Sequence, residues 1–120
     1  MSWEVILHED VNGWYLRLAA EDPESAQLVG AAIDLLAAEG PTLGRPLVDR
    51  VKQSRHHHMK ELRPGSTGMS EIRLLFAFDP QRQALILVAG DKNGAWASWY
   101  DQQVPIADDR FDEHLEDLST

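Results

Sequence analysis

Three runs in the second half of the chain, residues 58–63, 71–78 and 84–90, are separated only by PGSTGM and by Asp79-Pro80-Gln81-Arg82. Both separators are rich in turn formers, and connections this short join antiparallel neighbours, so the runs are expected to form a three-stranded antiparallel meander. In the middle run Ile72, Leu74, Phe76 and Phe78 alternate with Arg73, Leu75 and Ala77. Successive strand residues face opposite sides of a sheet, so Arg73 is expected to point away from the core.

The first third of the chain changes period within a few residues. Trp3, Val5 and Leu7 alternate with Glu4, Ile6 and His8, as in a half-buried strand. Val11, Trp14, Tyr15 and Leu18 then recur at helical spacing, with Asp10 as the candidate cap. Asp22-Pro23 starts a second helix, since the carboxylate accepts from free amides and proline suits the first position. Leu28, Val29, Ala32, Ile33, Leu35 and Leu36 give that helix a broad apolar face, and Gly40-Pro41 ends it. Residues 40–55 hold two Gly, two Pro and no sustained period, and read as a loop with one helical turn near Leu47 to Lys52. From Ile106 to Leu118, Ala107, Phe111, Leu115 and Leu118 recur among acidic residues as a last amphipathic helix. The order is therefore β-α-α-β-β-β-α, an α+β chain of 120 residues expected to form one domain, residues 1–120.

Charge is distributed unevenly along this order. Residues 1–44 carry eight acids and one Arg, net −7, and residues 101–120 carry seven acids and one Arg, net −6. Residues 45–92 carry nine Lys/Arg against five acids, net +4, and also His56, His57 and His58. A net charge of −9 for the whole chain opposes nucleic acid, yet a local cationic surface can recruit phosphate when the repelling charge lies elsewhere. The absence of cysteine excludes disulfides, thiolate chemistry and cysteine-held zinc. The longest apolar run, Ala84 to Ala89, is far too short for a membrane span, and MSWEVILHED lacks a secretion-signal pattern, so a cytoplasmic protein with no membrane partner is expected.

The element order, taken with GPTLGRP, SRHHHMKELRP, EIRLLFAFDP and the spacing from AGDK to WY, resembles the RelE/ParE superfamily of bacterial toxins, and within it the HigB-type, phage-protein-like branch. The likeness covers residues 3 to 118. It implies a RelE-like fold, a curved antiparallel sheet packed on an N-terminal helical hairpin with a concave cationic face opposite. It also implies the toxin of a type II toxin–antitoxin pair, neutralised by a small helix-turn-helix antitoxin. In the RelE and HigB branches such a toxin cuts messenger RNA, usually at the ribosome. The ParE branch shares the fold and poisons DNA gyrase, so an alternative is a non-catalytic binding module, either gyrase-directed or an inactive relative that only binds its antitoxin.

Metal-free RNA cleavage, for which no cofactor is expected, needs a base for the 2′-hydroxyl proton, cations on the scissile phosphate and an acid for the departing 5′-oxygen. The resemblance maps the middle-strand phosphate ligand onto Arg73, the arginine at the end of the preceding strand onto Arg63, the basic residue after the last strand onto Lys92, and the C-terminal tyrosine onto Tyr100. Relatives of the RelE type carry lysines where Met59 and Glu61 stand here, which leaves Glu61 or a histidine, His58 foremost, as candidate base. Duller readings stand beside each role. Arg73 can serve as a strand residue paired with Glu61 or Glu71, Lys92 as a turn residue of Asp91-Lys92-Asn93-Gly94, and Tyr100 as part of an aromatic cluster with Trp96 and Trp99. The three histidines are adjacent, so on a strand they would point to opposite faces, which disfavours a metal site.

Overall fold

The computed structural model describes residues 2–120. Its elements are β1 (Glu4–Leu7), α1 (Glu9–Glu21), α2 (Pro23–Glu39), a 3-10 turn (Gly40–Thr42), β2 (Val48–Arg50), β3 (Lys60–Leu62), β4 (Ile72–Phe78), β5 (Gln83–Asp91) and α3 (Trp96–Leu118). The strands form one sheet in the order β1-β5-β4-β3-β2. The meander β3-β4-β5 is antiparallel as the short connections demanded, and β2 pairs antiparallel to β3. β1 lies parallel to β5 because the α1–α2 hairpin and the meander separate them in sequence, so the sheet as a whole is mixed. This is the α+β arrangement that the resemblance implied.

Local chemistry sets the helix ends. His8, rather than Asp10, caps α1, its Nδ1 accepting from the amide of Asp10 at 3.1 Å. Asp22 caps α2 through the amide of Ser25, with Pro23 in the first turn where no donor is required. Gly40 ends α2 at φ 58°, a conformation open to glycine, and a side chain there would also collide with the indole of Trp3.

Both faces of the sheet are covered. On one, Ile72, Leu74, Phe76, Leu62, Val48, Ala84 and Ile86 pack against Val11, Val29, Ala32 and Leu36 of α1 and α2. On the other, Met59, Leu75, Ala77, Leu85 and Leu87 pack against Trp99, Val104, Ala107 and Phe111 of α3. The alternation in β4 thus serves two cores, and Arg73 faces the α3 side. A bulge between Leu75 and Phe76 in the β4–β5 register shifts the phase of the longest pairing.

Two segments differ from their expected form. Residues 48–50 form a strand, β2, where a helical turn was expected, because Leu62 and the core behind it offer Val48 a buried partner that no local pattern encodes. α3 begins at Trp96, ten residues before Ile106, and carries Pro105 inside it. Pro105 is exposed, and the helix is held across it by the burial of Val104 and Ala107 on the opposite side. No helix is long and apolar enough to cross a membrane among the described residues.

Candidate active site

The α3 face of the sheet is apolar only along part of its length. At the end towards β3 and the start of α3 it carries charge. Glu61 lies at the middle of β3, opposite Asp49 of β2 on one side and Leu75 of β4 on the other. Arg63 follows directly after β3, and its amide continues the pairing by donating to the carbonyl of Leu47. Arg73 stands opposite Gly90 of β5. The missing side chain at Gly90 lets the indole of Trp99 lie against the backbone, where an added Cβ would sit 3.0 Å from Nε1. That close approach seats the first turn of α3 on the sheet and carries Tyr100 over Glu61.

Glu61 is 4% exposed and is the hub of the cluster. Its Oε1 accepts from Arg63 Nε at 2.7 Å and from the Tyr100 hydroxyl at 3.0 Å, and lies 3.5 Å from Arg73 Nε. Arg63 also donates to Asp49 Oδ2 at 3.1 Å. Lys92, 6% exposed, donates to the Tyr100 hydroxyl at 3.4 Å, sits 4.0 Å above the centre of the Trp96 ring, and lies 3.9 Å from Glu71 Oε2. The turn that places Lys92 is closed by the Ala95 amide on the Lys92 carbonyl, and Gly94 supplies its positive φ of 78°. Arg73 Nε and Glu71 Oε2 are buried without a hydrogen bond, so each keeps capacity for one more partner.

These contacts shift proton affinities in a useful direction. Burial and the neighbouring Glu61 carboxylate push the Tyr100 phenol up to about 12, so it stays a proton donor at neutral pH. Burial, reinforced by the Arg73 charge, lowers the Lys92 ammonium below its ordinary value. The hydrogen bond to Glu61 raises Arg63 further. Three cations and three carboxylates, Asp49, Glu61 and Glu71, therefore share a site whose centre, Glu61 and Lys92, is buried while Arg63, Asp49 and Glu71 keep part of their surface in water, with the Tyr100 hydroxyl bridging Glu61 and Lys92.

Of the residues singled out in the sequence, Arg63, Arg73, Lys92, Tyr100 and Glu61 are brought together. His58 is not: it is exposed in the turn before β3 and none of the cluster's hydrogen bonds involve it. Its neighbour His56 is turned to α3, where Nε2 meets Asp112 Oδ1 at 2.8 Å and the ring stands edge-on to Phe111. Asp49 belongs to the cluster and escaped the sequence reading, since its place depends on a three-residue strand with no alternation of its own.

A family described as "Phage derived protein Gp49-like (DUF891)" matches residues 17–112. The chain belongs to that family. It is 56% identical over 107 residues to a Mycobacterium tuberculosis protein named "Putative toxin HigB2", covering 89% of this chain and 52% of that one. It is 53% identical over 111 residues to "Putative toxin HigB3" of the same organism, covering 92% of each. The chain thus spans about half the length of the first relative and nearly all of the second. This Gp49-like chain is of the HigB toxin type, as the sequence motifs indicated. No solved structure matches it.

Proposed function

We propose that this protein is the toxin of a type II toxin–antitoxin pair and that it cuts messenger RNA, in the cytoplasm and at the ribosome, by attack of the 2′-hydroxyl on the adjacent phosphate. The observation that carries the proposal is the meeting of Arg63, Arg73 and Tyr100 on the buried carboxylate of Glu61, with Lys92 joined to them through the Tyr100 hydroxyl. The two guanidiniums and the ammonium hold the phosphate oxygens as negative charge builds on them. Glu61 takes the 2′-hydroxyl proton as the 2′-oxygen bonds to phosphorus. Tyr100, held protonated, gives its proton to the 5′-oxygen as the P–O5′ bond breaks, leaving a 2′,3′-cyclic phosphate and a 5′-hydroxyl. The proton on Glu61 then returns to Tyr100 along their 3.0 Å hydrogen bond. The antitoxin in this reading is a small helix-turn-helix protein.

One observation favours the binding-module alternative. Each cation already has a carboxylate within 4 Å, Arg63 at Glu61 and Asp49, Arg73 at Glu61, and Lys92 at Glu71. A site neutralised in this way attracts phosphate less than bare cations would. Induction of the protein in growing bacteria, followed by mapping of transcript 5′ ends, separates the readings. Cleavage inside translated codons that vanishes in Arg73→Ala supports the nuclease. Growth arrest with intact transcripts and DNA damage moves the assignment to gyrase, and no effect on growth moves it to an inactive, antitoxin-binding relative.

A further inference from the structure

The start of α3 carries three aromatic side chains that end in different places. Trp99 is 7% exposed, seated on the backbone of Gly90, and Tyr100 is half-buried with its hydroxyl on Glu61. Trp96 is 57% exposed and belongs to neither core. An indole left in water forfeits the gain that burying so large an apolar surface brings, so packing does not account for a tryptophan at this position.

What Trp96 touches is the site. Lys92 Nζ lies 4.0 Å from the centre of its ring and 5.2 Å from that of Tyr100, the two rings being one helical turn apart. The ammonium takes one face of the indole, and the surface left in solvent is the opposite face and the rim. The approach to it is open: Asn93 is exposed, and a side chain at Gly94 would meet nothing within 4 Å. Of the neighbouring acids, Asp91 spends Oδ1 on the amides of Glu71 and Asn93, and Asp101 lies five positions on, about 140° round the helix.

The charge balance of the site bears on what such a ring can do. Arg63, Arg73 and Lys92 stand against Asp49, Glu61 and Glu71 in a chain of net −9, so attraction to phosphate alone holds an RNA strand weakly. Stacking does not depend on that balance, because every base has a flat π-face that an aromatic side chain can cover. A base within a duplex has both faces taken by its neighbours, so the base that stacks here is an unpaired one. Its sugar and phosphate turn back over the rim of the indole towards Lys92 and Arg73, whose buried Nε still has no hydrogen-bond partner.

We infer that the outer face of Trp96 is a stacking platform for one unpaired RNA base, that of a nucleotide next to the scissile phosphate, and that it supplies binding which the balanced charges do not. The inference rests on the nuclease reading above. It gives the site a contact that depends on the base, since phosphate carries no base identity and stacking strength does.

The test induces the full chain and its variants in growing bacteria and maps transcript 5′ ends. Cuts by the unsubstituted chain should favour purines, the bases that stack most strongly, at one fixed position beside the cleaved bond. Trp96→Leu keeps an apolar cover on Lys92 without the π-face, and should lower cleavage about tenfold or more and flatten that preference. Trp96→Phe keeps a smaller face, and should retain the preference with cleavage within about threefold. Lys92→Met removes a phosphate contact, and should lower cleavage evenly while the preference stays, which separates stacking from mere support of Lys92. Position 96 is exposed, so urea unfolding of both Trp96 variants should match the unsubstituted chain. The platform is overturned, and the nuclease left intact, if the unsubstituted chain cuts without base preference, if Trp96→Leu cuts within about twofold at the same sites, or if the Leu and Phe variants lose equally. If the unsubstituted chain cuts no transcript, the nuclease reading itself fails and takes the inference with it.

Discussion

Two charged clusters flank α3, and they are built in opposite ways. In the first, one buried carboxylate, Glu61, is shared by Arg63, Arg73 and Tyr100. In the second, one exposed guanidinium, Arg55, is shared by Asp108, Asp109 and Asp112, with His56 also on Asp112 and Ser54 and the Arg55 amide on Asp108. The first lies on the sheet, where water is largely excluded and each charge depends on its partners. The second ties the 52–58 turn to α3, with Asp108 buried beneath the turn and Arg55, Asp109 and Asp112 in solvent that screens them. An acid-rich surface clamp of this kind repels phosphate and has a holding role, whereas the Glu61 cluster has cations that an incoming phosphate can draw on. Location in the fold, more than residue type, separates a candidate reactive site from a strut.

The sharpest way to break this contrast is Arg73→Ala. If the Glu61 cluster cleaves RNA, transcript cleavage should fall by about 10² or more, as when a donor to a developing oxyanion is removed. Arg55→Ala should leave cleavage within about twofold, and equal losses from both would erase the distinction. Next comes stability: Glu61→Ala strands the mostly buried Arg73 and the partly buried Arg63, and urea unfolding should show a loss on the order of 3 kcal/mol. An exposed pair such as Arg55 and Asp109 should give almost nothing in the same assay. Gly90→Ala pushes a methyl against the buried Trp99 indole that seats α3, and should cost about 1–2 kcal/mol together with a red-shifted tryptophan emission.

Titration sharpens the contrast with smaller effects. In Tyr15→Phe, which leaves Tyr100 as the one tyrosine, the phenolate absorbance should rise with a midpoint near 12. A phenol raised on folding contributes stability that is complete below its ordinary value of 10.0 and is lost as the pH climbs towards 12. The Asp112 carboxyl is held low by hydrogen bonds from Arg55 and His56. A carboxyl lowered on folding contributes above its ordinary value of 3.8 and loses that contribution as the pH falls below it. Asp112→Asn should therefore lower stability slightly at neutrality and flatten part of the acid limb below about pH 4, so that the two stability curves converge at low pH.

The meander was legible because alternation and turn residues are local signals. Ile72, Leu74 and Phe76 could be assigned to one face without any knowledge of what covers them, and Asp22-Pro23 marked the start of α2 by its own capping chemistry. The site was legible in part. Arg63, Arg73, Lys92 and Tyr100 stood out through the family resemblance, whereas the side of the sheet that Glu61 shares with Arg73 came from the β3–β4 register. Two things were not legible. Residues 96–105 concealed nearly three turns of helix because Pro105 interrupts the pattern, and β2 is a strand only because Val48 has Leu62 beside it. Asp49 was hidden with β2, and so was the balance of charge at the site.

What the chain determined locally was its inventory: three strands in a meander, an acidic amphipathic α3, a capped α2, and a set of basic residues at the ends of strands. The tertiary structure decided which charges meet. Pairing of β2 with β3 put Asp49 against Arg63, and the seating of Trp99 on Gly90 brought Tyr100 to Glu61 across 39 positions of chain. The reason is one of range. Backbone preference and alternation act over a few residues, whereas proton affinity and the net charge of a site depend on neighbours within a few ångströms in space, wherever they lie in sequence.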